Sequence, residues 1–309
     1  MSFIRSFLSI SFWALGSLSL AVQSEAQVNP TEQEWKPPVF LAIGSSMFVG
    51  KMNNCLAERL EHYGYDANVA GFCGLNTRVL SRGSRYPCAA AKYTGEALVS
   101  EISKTLPYRK KPKNGVSLQH KGTKLVNRKG ELLINHLITE LKPDHLVFFL
   151  GGNEASYKPR RSLKTEAKRE KYRKRLRSRI HADELLSKLD PSVPCTWVTG
   201  TWVSKVNPTY GKTNEEVVEV AKVMTEKAGD RCSMIYGTEV MGKKEVRTFD
   251  GLHLNRKEAC EFGYRVADRL NAQFVAGLAA ELATKVEGQF GWTEDSVAVR
   301  GSLPHFPQR

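Results

Sequence analysis

After Val22 the 309-residue chain contains no apolar run long enough to cross a bilayer, so a transmembrane segment in the mature chain is not expected. It has no Cys-x-x-Cys pair and no Cys/His cluster at ligand spacing, which argues against a structural zinc, and no other metal or cofactor is expected. It has no internal repeat, which sets aside solenoid and propeller arrays. Residues 104–129 contain no acidic side chain, so that stretch has no counter-charge of its own.

The start of the chain reads as an export signal. It has Arg5, an apolar stretch over 7–22 broken by Ser9, Ser11, Gly16, Ser17 and Ser19, and Ser24-Glu25-Ala26 as a small-x-small cleavage site. A mature protein beginning near Gln27, periplasmic or secreted, is therefore expected. All six cysteines follow this segment, and an oxidising compartment makes disulfides their expected state. With 46 Lys+Arg against 32 Asp+Glu the formal net charge is +14, and loss of Arg5 together with Glu25 leaves it unchanged. Such a basic exported protein suits an anionic polymer or surface, and nucleic acid is the weaker candidate in that location.

One domain is expected over 39–285, after a polar lead at 27–38 and before a tail at 286–309. The run Val39-Phe40-Leu41-Ala42-Ile43 reads as a buried strand ending at Gly44, and Met52, Leu56 and Leu60 recur at helical spacing over 48–63 until Gly64 closes the segment. Further strands are expected at 66–70, 146–150, 196–199 and 233–236, and helices at 132–141 and 215–228. A last helix should start at Asn255 as its cap and run into the Leu278 region. A long loop is expected between the second strand and the helix at 132. Strands alternating with helices argue for an α/β fold whose parallel sheet is covered on both faces. Two stretches interrupt the alternation: a basic surface loop near 104–130, and a basic helical insertion near 158–189 that is either a solvated charged face or a binding element.

Three strand ends carry unusual polar residues, and in parallel sheets ligands bind at the carboxyl ends of strands. Gly44-Ser45-Ser46-Met47 hands a serine to a helix start, although such turns often only cap helices. Gly71-Phe72-Cys73-Gly74 follows the second strand, and a glycine there can bring a backbone N–H to a ligand or simply make a turn. Gly151-Gly152-Asn153-Glu154 follows another, and Asn153 can offer an amide donor to a developing oxyanion or serve as a cap. Far downstream, Asp250 precedes His253 by three residues, close enough to orient its ring if the segment turns once.

In this order the four blocks resemble those of the SGNH hydrolase family, also called GDSL esterases and lipases, from Phe40 to Asn255. The resemblance implies a three-layer α/β/α flavodoxin-like parallel sheet, with the two basic stretches as insertions. It implies Ser46 as nucleophile, Asp250 and His253 as its proton-transfer partners, and an oxyanion hole from the Ser46 and Gly74 N–H groups with the Asn153 amide. The usual Gly-Asp-Ser is Gly44-Ser45-Ser46 here, and the frequent Asn-Asp is Asn153-Glu154. With that fold, Cys195 and Cys232 start successive strands, Cys55 and Cys260 sit on helices sharing a face, and Cys73 is left for Cys88. The expected activity is removal of O-acyl groups, acetyl above all, from cell-envelope or extracellular polysaccharide through an acyl-enzyme. The alternatives are an O-acyltransferase acting on such a polymer and a non-catalytic glycan- or surface-binding module. Trp202 and Tyr210 are candidates for stacking on sugar rings if exposed.

Overall fold

The apolar runs of the sequence form the middle of a seven-stranded sheet in the computed structural model, which describes residues 36–86, 90–106, 117–118, 123–154, 163–202, 213–242, 246–250 and 252–290. The first half of the chain supplies β1 (Val39–Gly44), α1 (Lys51–His62), β2 (Asp66–Phe72), α2 (Thr77–Arg82), β3 (Ala91–Thr94), α3 (Glu96–Thr105), β4 (Ser117–Leu118) and α4 (Leu133–Leu141). The second half supplies β5 (His145–Phe149), α5 (Glu166–Arg177), α6 (Ala182–Leu186), β6 (Cys195–Val198), α7 (Asn214–Ala228), β7 (Cys232–Ile235), α8 (Gly237–Val240) and α9 (Arg256–Phe290). The expected signal at 1–26, the lead up to residue 35, Cys88, Tyr210 and the tail beyond 290 lie outside the described residues.

Strand order is β4-β3-β2-β1-β5-β6-β7. The five strands from β2 to β7 in that order are parallel, which is the flavodoxin-like arrangement once they are numbered among themselves. The carboxyl ends of β1 and β5 flank the point where chain order reverses. β3 runs antiparallel to β2 and β4 antiparallel to β3, so the sheet is mixed at one edge. The long loop expected before residue 132 is thus corrected to α2, β3, α3 and β4. Its signals were short: alternate burial of Ala91 and Tyr93 on β3, and only Leu98 and Ile102 fully buried on α3.

Alternation along β1 divides the core. Leu41 and Ile43 face a cluster with α2 to α7, while Phe40 and Ala42 face one with α1, α8 and α9. Both clusters are closed by side chains that are fully buried, Trp197 on the first side and Phe262 on the second. The stretch near 158–189 is part of the first layer where it is described. Tyr172, Leu176 and Ile180 recur every four residues and are buried in the core, while Lys171, Lys174 and Arg175 remain exposed. Arg173 and Arg177 reach Glu219 and Glu226 on α7 at 2.6 and 2.9 Å. The solvated-face reading describes the outer side of α5, and the inner side is a packed, ion-paired helix.

Two of the expected disulfides are present. Cys55–Cys260 joins α1 to α9 with Cα atoms 5.2 Å apart, and Cys195–Cys232 joins register partners of β6 and β7. Asn255 caps α9, its Oδ1 accepting the Glu258 N–H at 2.9 Å, and the helix continues past the Leu278 region to Phe290. Trp202 is half-buried against the second core cluster, not exposed.

Candidate active site

Ser46 opens a four-residue 3-10 turn directly after β1. The turn is pressed against two strand ends that only glycine allows. A Cβ at Gly44 would lie 2.5 Å from the Phe48 ring, and one at Gly71 would lie 2.4 Å from the Phe48 backbone carbon. Ser45 is buried, with its N–H directed to the Phe149 carbonyl, and Ser46 is the residue whose hydroxyl reaches the second half of the site. As the first residue of its turn, Ser46 has a backbone N–H without an intrahelical acceptor.

Asp250 and His253 belong to a loop closed by a bridge between Thr248 and Leu254 and by the Phe249 N–H on the His253 carbonyl. Asp250 Oδ1 accepts the N–H groups of Leu252 and His253 at 2.9 and 2.6 Å, and its Oδ2 lies 2.6 Å from His253 Nδ1. A carboxylate only accepts hydrogen bonds, so Nδ1 carries a proton, and in the neutral ring that leaves Nε2 as the acceptor. Nε2 lies 2.8 Å from Ser46 Oγ. Burial pushes the Asp250 carboxyl up, but the His253 N–H, the His253 ring and the Leu252 N–H together outweigh it and hold it below its ordinary value.

Packing of α1 on α9 sets the relation between these halves, because α1 begins shortly after Ser46 and α9 shortly after His253. The two helices touch closely at Gly263, where a Cβ would lie 2.9 Å from the Met52 carbonyl. The Cys55–Cys260 disulfide and the hydrogen bonds of Arg59 and Tyr63 to Asp268, both 2.7 Å, fix the same pair.

Gly74 sits after β2 with φ at +76°, a region closed to most side chains. Asn153 follows β5, and its Nδ2 donates to the Leu75 carbonyl at 2.7 Å, which leaves the second N–H of that amide for another acceptor. Glu154 Oε1 accepts the Thr77 N–H at 2.7 Å, so the two turns are tied by adjacent residues. The sequence pointed to Gly74 and Asn153 but not to this use of Glu154 or to the contact at Gly71. Only the fact that a carboxylate follows Asn153 was available as a signal.

A cavity of about 400 Å³ opens beside the serine. Its lining includes Met47, Met52 and Leu254, the cations Lys51 and Arg256, and the ring of Phe249. Phe249 is 72% exposed and stacks on His253, with centroids 5.5 Å apart and planes 14° apart. Among the described residues no three His, Cys, Asp or Glu side chains come together as a metal site requires, and no helix is long and apolar enough to cross a membrane.

No protein-family model matches the chain. A stretch of 59 residues, 19% of this chain, is 36% identical to Protein BcsX of Komagataeibacter xylinus and spans 22% of that protein's length. Structures of related outline include a peptidoglycan O-acetylesterase, with 12% identity, a TM-score of 0.42, and coverage of 78% of this chain and 92% of that one. A DUF4886 family protein from Bacteroides uniformis has 13% identity, a TM-score of 0.39, and coverage of 74% and 83%. A carbohydrate esterase has 13% identity, a TM-score of 0.36, and coverage of 77% and 66%.

Proposed function

We propose that this chain is an exported serine esterase of the SGNH type that removes O-acyl groups, chiefly acetyl, from polysaccharide. The observation that carries the reading is the continuous hydrogen-bonded chain from Asp250 through His253 to Ser46. His253 Nε2 takes the Ser46 proton as Oγ attacks the ester carbonyl, and Asp250 stabilises the imidazolium that forms. The tetrahedral oxyanion is met by the Ser46 and Gly74 N–H groups and the second N–H of Asn153. Collapse breaks the bond to the sugar oxygen, which leaves with the proton from His253 and a Ser46 acyl-enzyme behind. Water then attacks that ester with His253 again as base, releasing the carboxylic acid and restoring the serine.

The open setting of the site, with an exposed ring beside the histidine, supports a carbohydrate-borne ester over a buried one. Export is supported by the signal-like start and by two disulfides, which persist in oxidising compartments. A sugar hydroxyl in place of water gives an acyltransferase from the same intermediate. Acetate release from acetylated polysaccharides and from p-nitrophenyl acetate, by wild type and Ser46→Ala, tests the reading. Loss of release in the variant is expected, and equal rates overturn it.

A further inference from the structure

We propose that the cavity beside Ser46 selects acyl esters carried on an acidic saccharide, with the sugar ring on Phe249 and its negative charge met by Lys51 and Arg256. This rests on the esterase reading of Ser46 and names the substrate class of that site. Lys51 and Arg256 line the same cavity as Ser46 and His253, and neither has an ion-pair partner among the described residues. Neither charge is bound by another side chain among the described residues. Each is the first residue of its helix, where a cation opposes the helix dipole.

Positive charge accumulates further behind Lys51. Lys92 on β3 is half-buried, pairs in register with Gly71 beneath the serine turn, and is held below its ordinary value by burial and then by Lys51. The one carboxylate in the cavity lining, Asp250, is already engaged by the two N–H groups and the ring of its own loop. An incoming anion therefore meets uncompensated cations next to the reacting serine.

The second half of the substrate is set by shape. Phe249 is the most exposed large apolar side chain among the described residues, and its ring is held in place by stacking against His253. A sugar presents C–H faces that cover such a ring, while its carboxylate stays at the rim. The volume of about 400 Å³ lies at the low end for ligand pockets, roughly 300–1,000 Å³, which suits one ring with a short acyl group and not a lipid chain.

The test compares O-acetylated oligogalacturonide with O-acetylated xylo-oligosaccharide of equal length, at low and high salt. Wild type should favour the acidic substrate in kcat/KM by about tenfold at low salt, with the ratio shrinking as salt rises. Lys51→Gln with Arg256→Gln should bring the ratio close to one through KM on the acidic substrate, and Arg256→Lys should restore part of it. An unchanged ratio in the double variant, a wild-type preference for the neutral substrate, or faster cleavage of phosphatidylglycerol vesicles overturns the proposal. Calorimetric binding of deacetylated oligogalacturonide separates this from failure of the esterase reading. Binding that needs Lys51 and Arg256 sustains anion selection even if Ser46→Ala retains activity, and binding indifferent to both residues removes it.

Discussion

Helix α5 and the mouth of the Ser46 cavity are both basic, but their charges face different surroundings. On α5, Arg173 bonds Glu166, Glu170 and Glu219, and Arg177 bonds Glu170 and Glu226, so its inner cations are absorbed into packing against α7. At the cavity, Lys51 and Arg256 have no carboxylate within ion-pair distance among the described residues, and the nearby Asp250 is committed to His253. In the richest run of Arg and Lys in the sequence, Arg173 and Arg177 are thus structural while Lys171, Lys174 and Arg175 stay solvated, and two cations far apart in sequence are the ones placed beside Ser46. Density of charge along a chain identifies neither; the position of the counter-charge does.

That contrast can be broken from either side. The largest effect is expected at the site: Asp250→Asn should lower kcat by about 10⁴-fold, because an amide no longer holds Nδ1 protonated, while the melting temperature changes little. Steady-state kinetics with a melting curve checks both halves. A variant with near wild-type kcat removes Asp250 from the mechanism.

On the α5 side, Arg173→Met should cost about 3 kcal/mol of stability, since it leaves the buried Glu219 carboxylate with Lys222 alone at 3.3 Å. Activity of the folded protein should be retained. Denaturant unfolding measures the first, and a large loss of kcat in the folded variant would mean that α5 and the site are not separable.

A smaller effect sharpens the contrast between histidines with and without a carboxylate. His145 is buried at the start of β5, bonded to Thr196 at 2.8 Å, and burial lowers its pKa to about 4. A folded-state value below the unfolded one means the unfolded chain takes the proton first. The stability it contributes is complete above the unfolded value near pH 6.5 and is lost as pH falls toward 4. Between pH 7 and pH 5 this loss is about 2 kcal/mol, and His145→Gln should show a correspondingly flatter stability profile over that range.

Legibility followed the length of each signal. β1 and β5 were readable because they are continuous apolar runs buried on both faces, and α7 because its buried positions recur over fifteen residues. β3 is four residues long and antiparallel, a pairing that its own Ala91-Lys92-Tyr93-Thr94 cannot announce. For the candidate site, Ser46, Gly74, Asn153, Asp250 and His253 were named through the family resemblance that the order of their blocks carries. Lys51, Arg256 and Phe249 were not, because what joins them is a cavity formed where the starts of α1 and α9 meet. Glu154 looked like a departure from a family pattern, yet its carboxylate holds the Thr77 N–H.

The most direct test of the central claim is covalent. The wild-type protein would be treated with a fluorophosphonate that captures activated serines and then mapped by peptide mass spectrometry. One adduct per chain, on Ser46 and absent from His253→Ala, is the predicted result. An adduct on Ser45 or elsewhere, or none at all on a folded and active protein, would contradict the account.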